Sequence, residues 1–305
     1  MTQKRAAIGL MNPKSPTNVG SVLRAAGCMN AQQIFYSGER YDRAKAFYTD
    51  TQNSNKAVTL TFNRHDVRNA LTGTSIADDI VNTVEWINKT PDIAVLIITG
   101  AGSAFSSGGN IKDMAERAGD FAGDVQALER RYREGIQRIP LALHKLEVPV
   151  IAAVNGPAIG AGFDIANMCD IRIASTKAKF GETFVNLGII PGDGGAWFMQ
   201  RLIGYQKAAE LTFTGRVIDA QEAKEIGVVL EVVEPEDLIE KVNQLANEMA
   251  AKPVASLRLT KRLMKLAQRT ELPDFLDICA VFQGMCHNNP EHLTAVNTMI
   301  EKLTK

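Results

Sequence analysis

Two glycine-rich bends in this chain offer backbone amides where a ligand oxygen can reach them. One lies in AVLIITGAGSAFSSGGNIKDM, where Gly108 and Gly109 precede an expected helix, and the other in VNGPAIGAGFD, with Ala161 and Gly162 at the corresponding place. Residues this small let an oxygen approach the main chain, and unpaired N–H groups at a helix start favour negative charge. Two such bends facing one ligand make a two-donor oxyanion hole. The second bend also delivers a carboxylate, Asp164, three residues after Ala161. Neither bend matches the dinucleotide GxGxxG fingerprint or the P-loop, since the Lys-Ser/Thr pair and the spaced acidic residue are missing, so phosphate cradling is the weaker reading. The plain alternative is that the glycines only make turns; the pairing of two similar bends after buried-type strands weighs against it.

The elements that must position these bends read as an α/β pattern. AVTLTF alternates like a strand, TSIADDIVNTVEWIN carries apolar residues at helical spacing behind a Thr/Ser cap signal, and AVLIITG is a buried-type strand ending at Gly100. PVIAAVNG and DIRIAS continue the alternation. From about residue 198 the pattern is largely helical. Residues 1–55 read separately, as a β-α-β fragment of AAIGLM, TNVGSVLRAAGCM and QQIFYSG, followed by the polar stretch YTDTQNSNK.

Thirty-four basic residues balance thirty-four acidic ones in 305, so charge argues for neither nucleic acid nor an anionic membrane surface. Cys28, Cys169, Cys279 and Cys286 are scattered, without metal-ligand spacing, and read as buried reduced thiols. His65, His144, His287 and His292 form no evident triad or metal cluster. With neither a signal-peptide pattern nor a membrane-length apolar run, the expectation is a cytoplasmic protein.

The pair GSAFSSGGNIKDM and NGPAIGAGFDIANMCDIRIAS, followed by AKFGETFVNLGIIPGDGG and RLIGYQKAAELTFTGRVIDAQEAKEIGVV, resembles the crotonase superfamily, the enoyl-coenzyme A hydratase/isomerase family, over about residues 56–305. The resemblance implies a spiral core of β-β-α turns over 56–250 and a helical C-terminal region, 251–305, that trimerises, often into dimers of trimers. It implies an acyl-coenzyme A substrate, no cofactor beyond the coenzyme A of that substrate, and an oxyanion hole made by the amides of Gly109 and Ala161. It also implies substrate binding by Arg68 and Ala70 in NRHDVRNAL, and by Ser107, Asn110, Ile111 and Lys112 around the first bend. Lys261 and Arg262 read as a solvated basic helix face, with an approach to the coenzyme phosphates as the alternative.

Physical logic agrees with this. An enolate becomes accessible when preorganised donors hold its oxygen, and a carboxylate whose pKa is lifted by an apolar surround then moves the proton. Asp164, between Phe163 and Ile165, is placed for that lift, with a helix-entry cap as its alternative. Hydratases of the family use two glutamates, whereas this chain has Asp164 at the first position and Phe184 at the second. Asp193, in IIPGDGGAWF, and Glu182 are the candidates to replace the missing acid, Asp193 being preferred because Glu182 points elsewhere if its segment is regular. Related isomerases place an Asp in this loop one residue earlier, where this chain has Gly192. Asp193 can alternatively cap the helix at AWFMQRL.

Residues 1–55 resemble the start of a SpoU-type RNA 2′-O-ribose methyltransferase, with Asn18 and Arg24 in matching places, but without the knotted region that binds S-adenosylmethionine in that family. A second functional class follows: an RNA-binding or interaction module carrying an inactive crotonase scaffold. A chain starting at about Asn55 is expected to fold, oligomerise and turn over substrate. Insolubility of that shortened chain beside soluble full-length protein would show that the N-terminal fragment completes the core.

Overall fold

The structure, a computed structural model, describes residues 56–304 and the backbone of two strands, 7–11 and 33–37. Those strands, β1 (Ala7–Met11) and β2 (Gln33–Ser37), pair in parallel, as expected from a β-α-β reading. The helix expected between them, with Asn18, Arg24 and Cys28, lies outside the described residues.

Among the described residues a second sheet has five parallel strands: β3 (Ala57–Phe62), β4 (Val95–Gly100), β5 (Val150–Val154), β7 (Ile171–Ser175) and β10 (Glu231–Val233), in the order β10-β7-β5-β4-β3. A third, small sheet joins β6 (Ala158–Ile159), β8 (Lys179–Gly181) and β9 (Val217–Asp219), with β8 parallel to β6 and antiparallel to β9. Strand periodicity sorts the five-stranded sheet into two cores. Leu60, Phe62, Leu96, Ile98, Val150 and Ala152 face one side, whereas Ala57, Val95, Ile97, Ile151, Ala153 and Ile173 face the other.

Helices cover both faces. On the first side lie α1 (Ile76–Asn88), with Ile76, Ile80, Val84 and Ile87 on one stripe, and, after the short α2 (Ile111–Glu116) and α3 (Val125–Glu134), α4 (Arg138–Lys145) and the wholly buried α5 (Ala161–Met168). Next come α6 (Gly195–Ile203), α7 (Tyr205–Thr214) and α8 (Ala220–Glu225). The other side is covered by α9 (Leu238–Ala250), whose Leu238, Val242, Ala246 and Ala250 repeat every four residues. The chain continues through α10 (Val254–Ala267), α11 (Leu272–His287) and α12 (Pro290–Leu303).

Three cations on one face of α10 dock it to the core. Arg258 donates to the carbonyls of Ile87, Thr90 and Ile93, 2.7–3.3 Å away at the end of α1, and pairs with Glu147 at 2.7 Å. Lys261 donates to Val148 O and Asp170 Oδ2, both at 2.7 Å, and Lys265 to the His144 and Leu146 carbonyls at the end of α4. Positive charge at helix C-termini is favourable there because the last carbonyls lack intrahelical partners. This corrects the expectation of a solvated face for Lys261, which is buried against Asp170. Arg262 lies over the Phe282 ring.

Arg258→Met should leave three carbonyls without their donor and cost about 1–3 kcal/mol. Urea denaturation of the variant beside wild type measures it, and an unchanged midpoint would show that water replaces the guanidinium without penalty.

Candidate active site

The first bend is held by the segment that follows β3. Asn69, fully buried and left-handed at φ 55°, donates from Nδ2 to the Ala101 and Ala104 carbonyls and accepts the Arg64 amide on Oδ1. Ser106 Oγ donates to Asn69 O, while the amides of Ser107 and Leu71 cross-link the segments through Arg68 O and Gly108 O. The second bend is tied to the first by Phe105 and Ser106 amides on Pro157 O and by the Ile159 amide on Ser106 O. Asn155 adds bonds to Gly100, Gly102 and Ala104.

The two bends therefore touch. A Cβ on Gly108, whose φ is 73°, would lie 2.6 Å from Ile159 O and 3.1 Å from the Ala161 amide nitrogen; one on Gly162 would lie 2.3 Å from Ser106 O. Glycine at 108 is thus required by both conformation and space. Gly109 and Ala161 both line a cavity of about 290 Å³, and among the described residues neither amide has an acceptor within the chain. Two free donors at one cavity wall are what an oxyanion needs.

Leu71, Met114, Phe121, Ile136 and Ile189 give the cavity an apolar lining. Phe184 lines it too, with its ring edge 3.7 Å from where a Cβ on Gly160 would be, so an apolar wall stands beside the second donor. Asp193 faces the cavity, and Tyr132 packs close to Gly192. Burial and the Asp193 charge push the Tyr132 phenol above its ordinary pKa.

Asp164 does not line the cavity. It is fully buried in α5, and Gly195, the first residue of α6, lies so close that a Cβ there would sit 2.2 Å from Oδ1. Among the described residues no hydrogen-bond partner reaches either side-chain oxygen of Asp164 or of Asp193. Burial and then the Asp193 charge push Asp164 well above the usual carboxylate range. Burial also raises Asp193. In both residues the cause favours the protonated form.

Neither aspartate is a helix cap. The residue before α6 is Gly194, with no side-chain cap, and Asp164 sits inside α5 rather than at its entry. Glu182 does not line the cavity, as expected, although its segment is not the regular one on which that expectation rested. β8 ends at Gly181 and a 3-10 turn, Thr183–Leu187, follows; Glu182 between them is not in a regular segment, and its side chain turns inward.

Of the expected substrate-binding residues, Ser107 hydrogen-bonds through its amide to Arg68 O, Ala70 is buried, and Asn110 caps α2 by accepting the Lys112 amide at 3.0 Å. Ile111 and Lys112 are exposed, and none of these six lines the cavity. Cys169 is buried and its thiol is pushed up to about 12 by burial, whereas Cys279 and Cys286 are half-exposed rather than buried. Among the described residues no three His, Cys, Asp or Glu side chains gather where they could hold a metal ion.

Known proteins resemble this chain. Residues 52–304 match the family model described as enoyl-CoA hydratase/isomerase. The crotonyl-CoA hydratase of Syntrophomonas wolfei is 35% identical over 249 residues, covering 81% of this chain and 92% of that protein. The 1,2-epoxyphenylacetyl-CoA isomerase of Escherichia coli is 32% identical, covering 80% and 92%. The crystal structure of an enoyl-CoA hydratase from Bacillus anthracis superposes with a TM-score of 0.75 at 32% identity, covering 81% of this chain and 93% of that one.

Gly108→Ala should force the two bends apart and lower kcat/KM by about 10² or more, the scale on which one oxyanion donor acts. Steady-state kinetics on an enoyl thioester test it. Wild-type turnover would remove the two-amide hole from the site.

Proposed function

The chain belongs to the enoyl-CoA hydratase/isomerase family, and on that premise we propose that it moves the double bond of an enoyl-coenzyme A thioester by proton transfer in preference to adding water. The observation that carries this is Phe184. Hydration needs one group to activate water and another to serve the α-carbon, whereas a double-bond shift needs one carboxylate carrying a proton between two carbons. Phe184 supplies neither acid nor base and makes apolar the place where water would be held.

The thioester oxygen accepts the Gly109 and Ala161 amides. Asp193, on the cavity wall, takes the α-proton of a 3-enoyl thioester; the C–H electrons pass into a dienolate whose oxygen charge the two amides stabilise. The same proton returns to the γ-carbon, giving the 2-enoyl thioester and restoring the carboxylate. No cofactor is needed for these steps, since backbone donors carry the developing charge.

A homotrimer or a dimer of trimers is part of this reading. It is supported by apolar side chains left exposed on the last two helices, Leu272, Leu276, Val281, Leu293, Met299 and Leu303 among them. Free Cys169, Cys279 and Cys286 favour a reducing, cytoplasmic setting. Among the described residues no helix is long and apolar enough to cross a membrane.

Mass spectrometry of enoyl thioesters turned over in heavy water should show α- and γ-carbon exchange or isomerisation faster than hydration of crotonyl-coenzyme A. Asp193→Asn should reduce that exchange by about 10² or more, while thioester binding, held by backbone amides, stays near wild type. Robust crotonyl hydration by the wild type that disappears in Asp193→Asn would instead make Asp164 and Asp193 a hydratase pair.

A further inference from the structure

One aromatic side chain stands between the cavity that holds Asp193 and a second opening, and its role is inferred here on the reading that an acyl thioester occupies the cavity. Tyr132, in the last turn of α3, lines the cavity together with Asp193, Gly109 and Ala161. It also lines a more open groove of about 460 Å³, whose other residues are Glu129, Arg133, Gln137 and Leu141. Among the described residues Tyr132 is the one side chain common to both.

The ring is pressed against the loop that carries Asp193. A Cβ on Gly192 would lie 2.9 Å from Cε1 and 3.3 Å from Cδ1 of Tyr132, so the ring takes the space that a side chain at 192 would need. From the groove side, Gln137 donates through Nε2 to the Gly192 carbonyl at 2.8 Å, and its own amide bonds to Tyr132 O at 3.0 Å. Gly192 itself lines the cavity. Cavity and groove therefore approach each other where Tyr132, Gly192 and Gln137 meet, and the Tyr132 ring fills that place.

The two spaces differ in what they offer a ligand. The cavity, at about 290 Å³, lies at the small end of the range of about 300–1,000 Å³ for small-molecule sites, which suits a short acyl group. The groove is compatible with an alkyl chain: Arg133 and Glu129 pair with each other at 2.8 Å, leaving the arginine stem as apolar surface, and Leu141 is 59% exposed. Burial and the Asp193 charge raise the Tyr132 phenol, so the partition is uncharged at neutral pH.

We propose that Tyr132 sets the acyl-chain length: its ring ends the cavity beside Asp193, restricts the protein to short acyl thioesters and bars longer chains from the groove behind it. An acyl chain held by its thioester oxygen on Gly109 and Ala161, and passing Asp193, meets the ring that packs on the residue before Asp193. Removing the ring joins the cavity to the groove.

Equilibrium binding of saturated acyl thioesters, which have no double bond to shift or hydrate, separates this from the reaction. The full-length protein is titrated calorimetrically with butanoyl- and octanoyl-coenzyme A. Wild type should bind the octanoyl thioester no more tightly than the butanoyl one. In Tyr132→Ala the affinity ratio should move by about 10-fold or more toward octanoyl, since one fully buried methylene is worth about 4-fold in affinity and octanoyl adds several. Tyr132→Phe, which keeps the ring, should retain the wild-type ratio. Tyr132→Val, which also removes the ring, decides the question if the alanine variant does not fold. A wild-type ratio in the variants without the ring, or a wild type that already binds octanoyl more tightly than butanoyl, overturns the proposal while leaving the proposed function standing. Failure of both thioesters to bind wild type overturns the two together.

Discussion

Main-chain atoms of two segments meet with no volume between them for a side chain. Gly108 lies against the Ile159 carbonyl and the Ala161 amide, and Gly162 against Ser106 O. The proposed oxyanion hole depends on this contact, because the Gly109 and Ala161 donors can face one oxygen only if the bends that carry them are in register. The contact is maintained from outside. Asn69 and Asn155 each hold several main-chain groups, so the geometry of the hole is set by side chains that never meet the ligand. Holding donors rigid before the charge develops is what makes them effective, since nothing has to reorganise at the moment of reaction.

The carboxyl group beside the hole rests on a different balance. Burial raises the cost of charge on Asp164, Asp193 and Glu182, and among the described residues none of them is in an ion pair with a cation. Buried polar atoms without donors are destabilising in a core that serves only stability. On the proposed function, the proton affinity of Asp193 is the useful quantity. α5, α6 and α7 each contribute one constraint: Asp164 from the first, the close approach of Gly195 from the second and the Thr212 hydroxyl from the third.

Stability and function draw on separate parts of the chain. α10 is fastened by cations to the carbonyls at the ends of α1 and α4, on a surface remote in sequence from the two bends. α1 and α4 in turn pack against each other and α4 against α5, so the fastening reaches the helix that carries Asp164. This links the C-terminal region to the site through rigid elements, without any of its residues entering the cavity.

Local composition was enough to announce the α/β class, the strands at Ala57–Phe62 and Val95–Gly100, the pair of bends and the two aspartates, because each is a short-range signal: alternation in strands, helical stripes, and small residues where backbone must be approached. The motif order then pointed to the family. Sequence left Asp193 divided between cap and acid, and set Glu182 aside on the assumption of a regular segment. It also read Lys261 as part of a solvated basic helix face. Those questions turn on where a side chain points after the chain has folded, which depends on contacts between residues far apart in sequence. Lys261 meets Asp170 across 91 positions and Thr212 meets Glu182 across 30. The sequence by itself determined which groups were present and which backbone had to be bare; only the tertiary structure decided that Asp164 is sealed in the core while Asp193 lines the cavity, because burial is a property of distance in space and leaves no trace in local pattern.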